Sequence, residues 1–125
     1  MHVTILMAEH CSAASSTLAL EVLQAANLFY RDSHGERCFD VVTASIDGNP
    51  VLTSSGQAMQ VDCALEDVLA TDIVLIPGFI FTLKAAIGSF SAYKPWLDKQ
   101  HRAGAVIASM CNSAFLLADS GLLDG

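Results

Sequence analysis

Apolar positions along this chain fall into short unbroken runs separated by stretches of helical periodicity. His2 to Met7, Cys38 to Ser45, Asp72 to Ile76 and Ala105 to Met110 are rich in aliphatic and β-branched residues and are bounded by polar or turn-forming ones. Runs of that length predict strands covered on both faces, as in a parallel sheet. Between the first two, Leu18, Val22, Ala26 and Phe29 recur at i, i+4, i+8 and i+11. This spacing predicts a helix capped by Ser16 or Thr17, ending near Tyr30, with the stripe turned to the core. Any self-association would then use the other face of that helix. Asp47-Gly-Asn-Pro50 is a strong turn signal, and Val51–Thr53 and Ala58–Val61 predict a small β excursion after it. Leu65 to Leu69 predicts a short helix, and Thr82 to Phe90, Pro95 to Ala103 and the segment after Cys111 also read as helical.

Alternating strands and helices predict an α/β fold with a doubly wound, mostly parallel sheet. Sites in such sheets lie at the carboxyl ends of the strands. Three loops meet that edge: Glu9-His10-Cys11, Pro77-Gly78-Phe79 and Met110-Cys111-Asn112. At the third, a strand stops at one cysteine and a helix-forming segment starts at once, the layout of a nucleophile elbow. A thiol at a helix N-terminus sits among free backbone N–H groups and the positive end of the helix dipole, which favour thiolate. Ser109 and Ser113 stand where the common form of the elbow has glycines, and the same pattern also fits a cysteine closing an ordinary βα turn. Gly78 lets backbone donors come close, so its amide and that of Asn112 are expected to form an oxyanion or carboxylate pocket beside Cys111. Phe79 and Phe81 either line that pocket or pack. Glu9 and His10 are candidate supports for the thiol, with a solvated loop as the other reading.

Composition narrows the class. The chain has 125 residues, 53% hydrophobic and 15% charged, enough for one domain with a sizeable core. No apolar run approaches the ~20 residues that cross a bilayer. The N-terminus lacks a basic region before its apolar run, which predicts a first strand rather than a signal peptide, and a cytoplasmic protein. Net charge is −7 and the six Lys and Arg are scattered, so this chain by itself is a poor DNA binder. The four cysteines, at 11, 38, 63 and 111, include no C-x-x-C pair, which argues against a disulfide framework and a structural zinc site. His10 and Cys11 are adjacent and would make a poor chelate. No metal or cofactor is expected.

The segment Ile107-Ala-Ser-Met-Cys111-Asn-Ser-Ala-Phe-Leu-Leu-Ala-Asp-Ser-Gly-Leu-Leu-Asp-Gly125 closely resembles the cysteine-elbow segment of the ThiJ/PfpI superfamily. Within it, the branch that forms the N-terminal domain of AraC-type transcriptional regulators, with a glutamine-amidotransferase-like fold, matches best. Leu20 to Asn27, Thr53-Ser-Ser-Gly56 and Leu75-Ile-Pro-Gly78 agree in the same order. The resemblance implies a flavodoxin-like three-layer sandwich, of which residues 1–125 cover a part, and a homodimer. On this reading the chain is a sensing domain whose small-molecule effector is expected at the strand ends near Cys111, Gly78 and the Glu9–Cys11 loop, with Gly78, Phe79, Cys111 and Asn112 as binding residues. DNA would be bound only through a helix-turn-helix domain downstream, without membrane contact. Enzymes of the superfamily support the cysteine with a carboxylate early in the first helix; here Ser15 stands at that position, and the histidine that follows later in the family lies beyond this segment. A thiol without positioned acid and base is a weak catalyst. The alternative is a cysteine-dependent hydratase, glyoxalase or amidohydrolase with Cys111 as nucleophile. A third reading, a redox-sensing module, would have oxidation of Cys111 change assembly state.

Overall fold

In chain order the elements are β1 (His2–Leu6), α1 (Ala13–His34), β2 (Asp40–Ser45), β3 (Val51–Leu52), β4 (Ala58–Met59), β5 (Cys63–Ala64), β6 (Ile73–Ile76), α2 (Leu83–Ser89), α3 (Lys94–Arg102), β7 (Val106–Ser109) and α4 (Ala114–Asp119). The structure is a computed structural model and describes residues 1–124. Five strands pair in parallel in the order β5-β2-β1-β6-β7, and β3 and β4 form a separate antiparallel pair. β1 is flanked on both sides: Val3 is in register with Val41 on one neighbour and Ile73 on the other. Val3, Thr4, Ile5 and Leu6 are at most 1% exposed, which is why β1 reads as a run rather than an alternation. The expected α/β architecture with a parallel sheet is present, and β2-β1-β6-β7 follows the flavodoxin-like order with β5 added outside β2.

The first helix departs from its prediction in extent and in orientation. Ser12 is the N-cap, its hydroxyl accepting from the Ser15 amide at 3.3 Å, so α1 begins three residues before Ser16. Apolar periodicity cannot register that opening turn, because Ala13, Ala14, Ser15 and Ser16 are all small. At the other end Gly35 adopts φ 79°, a left-handed conformation suited to glycine, and its N–H closes on the Arg31 carbonyl at 2.8 Å. The stripe expected in the core faces out: Leu18 and Val22 are 57% exposed and Phe29 is 73% exposed. The buried positions are Ser16, Ala19 and Asn27. Small side chains let the helix axis approach the sheet, and Asn27 is tolerated because both ends of its amide are paired, with the Phe39 N–H and C=O at 2.7 and 2.8 Å. Spacing identified a face correctly and assigned it to the wrong side.

Candidate functional site

The strand order reverses direction between β1 and β6, and in open α/β sheets the crevice at that point is where ligands bind. The loops leaving β1, β6 and β7 meet there. β7 ends at Ser109, Cys111–Ser113 makes one 3-10 turn, and α4 starts at Ala114, so the thiol sits on a tight turn ahead of a six-residue helix. Cys111 has φ 56° and an exposed side chain. A positive φ on a residue with a Cβ costs of order 1–3 kcal/mol and persists only where its surroundings impose it. Ser113 supplies part of that restraint: its fully buried hydroxyl lies 2.9 Å from the Ile76 carbonyl and 2.7 Å from that of Met110.

The β6 loop supplies the rest. Gly78 donates its N–H to Ser15 Oγ at 3.0 Å and accepts from the Ser12 amide at 2.7 Å. Phe79 donates its N–H to Asn112 Oδ1 at 2.8 Å, and its carbonyl accepts from Asn112 Nδ2 at 3.1 Å. Of the two amides expected to receive a ligand, that of Gly78 is therefore already used. Ser15 fills the Gly78 donor, and the side chain of Asn112 clamps Phe79. Gly78 does not offer a free oxyanion donor, which corrects the expectation from sequence. Phe79 is likewise no lining residue: its ring is fully buried in the main hydrophobic cluster, whereas Phe81 is 88% exposed.

Gly78 has a steric role instead. A Cβ there would lie 3.0 Å from Cys111 Cβ and 3.5 Å from the Met110 carbonyl oxygen. Gly78→Ala is expected to displace Cys111 and cost about 1–3 kcal/mol, read as a lower urea midpoint for the intact protein. An unchanged midpoint would mean that the turn yields freely.

The β1 loop ties the Glu9 side chain and the His10 backbone to Leu52. Glu9 Oε2 accepts from the Leu52 amide at 3.1 Å, and the His10 amide donates to the Leu52 carbonyl at 2.7 Å. His10 has φ 65°, and its carbonyl accepts from Thr82 Oγ1 at 2.8 Å. Among the described residues neither side chain bonds to the Cys111 sulfur. Cys11 is fully buried with its sulfur 3.6 Å from Ser16 Oγ, and burial pushes its thiol above the ordinary range. Alkylation of the native protein with iodoacetamide is expected to label Cys111 and spare Cys11 until unfolding. Equal labelling would show that the Glu9–Ser12 loop opens.

Among the described residues no group of three or more His, Cys, Asp or Glu is arranged to hold a metal ion. Four concavities of about 70 to 430 Å3 lie elsewhere, none of them lined by Cys111. The arrangement is an exposed thiol on a strained turn, braced by Ser15, Asn112 and Ser113. Sequence reasoning singled out Asn112 for its backbone and missed the clamp its side chain makes. Ser12 lies ahead of the caps expected at Ser16 or Thr17, and Ser113 was readable only as a flanking position.

Comparison with known proteins accords with this geometry. The family model described as the DJ-1/PfpI family matches residues 1–125. The HTH-type transcriptional regulator CdhR of Pseudomonas aeruginosa is 34% identical over 107 residues, covering 86% of this chain and 30% of the relative. The HTH-type transcriptional regulator GbdR of the same species is 27% identical over 120 residues, covering 96% and 31%. The crystal structure of an AraC family transcriptional regulator from Pseudomonas putida superposes with a TM-score of 0.78 at 27% identity, covering 98% of this chain and 62% of that one. The chain thus spans about a third of the length of these two curated relatives.

Proposed function

The chain belongs to the DJ-1/PfpI family, and from that membership we propose that it is the sensing and dimerisation domain of an AraC-family transcriptional regulator. The observation that carries this reading is its similarity, over 86% and 96% of its length, to two HTH-type transcriptional regulators. In this reading a small-molecule effector binds at the strand ends over Cys111 and Asn112. Two copies associate, and DNA is held by a helix-turn-helix domain that follows in the longer protein. Effector binding changes the dimer geometry and so the spacing of the two DNA-binding units. The outward apolar stripe of α1, Leu18, Val22 and Phe29, supports self-association. The net charge of −7 supports placing DNA contacts outside this segment. No helix of the described residues is long and apolar enough to cross a membrane, and the proposal places the protein in the cytoplasm.

A cysteine-dependent enzyme is the second reading, favoured by the exposure of Cys111 and its φ of 56°. Against it stand Ser15 at the position of the supporting carboxylate and the engagement of Glu9 with Leu52. Chromatin immunoprecipitation of the intact protein in its own cells separates the two. The regulator is expected to occupy discrete promoter sites and to keep them in a Cys111→Ala variant. Absence of enriched sites, together with a turnover reaction abolished by Cys111→Ala, would establish the enzyme instead.

A further inference from the structure

An acidic chain with only six lysines and arginines places two of them on one concavity. Gln24, Asn27, Leu28 and Arg31 line it from α1, and Arg37 lines it from the segment that follows the helix. The four α1 residues fall at i, i+3, i+4 and i+7, one face of the helix. The left-handed turn at Gly35 (φ 79°) reverses the chain, and the Asn27 amide then holds Phe39 through both its N–H and its C=O. The stretch carrying Arg37 is therefore fastened at both ends against the helix. Arg37 is delivered to the pocket by the backbone rather than by chance of a long side chain.

Among the described residues neither guanidinium has a carboxylate partner. The ion pairs among the described residues are His2 with Asp40 and Lys94 with Asp98. Asp32 is the neighbour of Arg31 on α1, where adjacent residues do not face each other, and Glu36, beyond the helix, makes no ion pair with Arg37 among the described residues. We propose that Arg31 and Arg37 form a subsite for a small oxyanion, a carboxylate or phosphate group on a low-molecular-weight ligand. Guanidinium groups present planar forks of donors that match such oxygens. The cavity, about 150 Å3, is below the roughly 300–1,000 Å3 of pockets that enclose drug-sized molecules. It suits one anionic group and leaves the remainder of the ligand in solvent. Gln24 adds a neutral donor on the same wall.

A cation in the last turns of a helix also offsets its dipole, by about 0.3–1 kcal/mol. That accounts for Arg31 and leaves Arg37, beyond the helix end, without a role. The subsite is separate from the Cys111 turn. Ser12 and Ser15, which bond Gly78, stand at the start of α1, whereas the pocket occupies its second half. A helix of 22 residues extends about 33 Å.

The test is titration calorimetry of the intact protein at low ionic strength, with inorganic phosphate and with acetate as separate probes. Saturable binding of one or both is expected, weakening as sodium chloride is added because the site is open to solvent. Arg31→Gln and Arg37→Gln should each weaken binding by about tenfold or more, and the double variant should abolish it. Arg37→Lys keeps the charge without the fork and is expected to fall between wild type and Arg37→Gln. Which probe binds more tightly assigns the anion class. Equal binding by the double variant, with unchanged circular dichroism, would overturn the proposal, as would the lack of saturable binding by either probe to the wild type.

Discussion

Replacing Phe79 with alanine is expected to lower stability by roughly 3–5 kcal/mol, the range for deleting a buried aromatic ring. The ring is 0% exposed and belongs to the same cluster as Ile5, Ile76, Leu97 and Leu116, contributed by β1, β6, α3 and α4. Its removal leaves a cavity at the junction of four elements, and a domain stabilised by 5–15 kcal/mol loses a large share of its margin. The substitution leaves the backbone bonds of Phe79 to Asn112 in place, so the clamp on the Cys111 turn can survive in the folded fraction. Denaturant unfolding of the intact protein measures the loss. A stability within about 1 kcal/mol of wild type would instead put the ring at a ligand surface, since truncation there removes little buried area.

The second large effect concerns assembly. Val22→Glu combined with Phe29→Glu is expected to weaken self-association by at least about 100-fold, because each charge would be buried twice in a symmetric contact. The same substitutions should leave the folded subunit within about 0.5 kcal/mol of wild type, as surface changes generally do. Val22 is 57% exposed and Phe29 73% exposed, and neither belongs to the core. Analytical ultracentrifugation at several concentrations gives the association constant, and circular dichroism gives the fold. Unchanged sedimentation would rule out this face of α1 as the contact. Had the stripe been core, as its periodicity suggests, both glutamates would unfold the protein. The pair of measurements therefore also discriminates between the two orientations of the helix.

β1 was legible because burial on both faces writes itself as an unbroken apolar run, and β6 because its four residues are all aliphatic. Val3 to Leu6 and Ile73 to Ile76 need no partner to be recognised. β5 was not read as a strand, since two residues, Cys63 and Ala64, carry no period. α1 was found and turned the wrong way: periodicity reports that a face exists, and what covers it depends on tertiary packing. Ser16, Ala19 and Asn27 give a weak hydrophobic signal, yet smallness and a doubly paired amide are what a close helix–sheet contact requires. At the site, the turn at Cys111 followed from a strand run ending in a helix former. The occupancy of the nearby amides did not, because Ser15 and Gly78 lie 63 residues apart and meet only in the fold. Asn112 and Phe79, 33 apart, pose the same difficulty.

The placement of β1 at the middle of the sheet has a bearing on how the protein comes into being. The strand is made first, but one of its two neighbours starts only at Ile73. At the usual 5–20 residues per second, roughly 4–14 s of synthesis separate β1 from β6. Over that interval one edge of β1 lacks its native cover, and an unpaired edge carrying Val3 and Ile5 is open to pairing with another strand. Slower decoding between residues 45 and 73 lengthens that exposure.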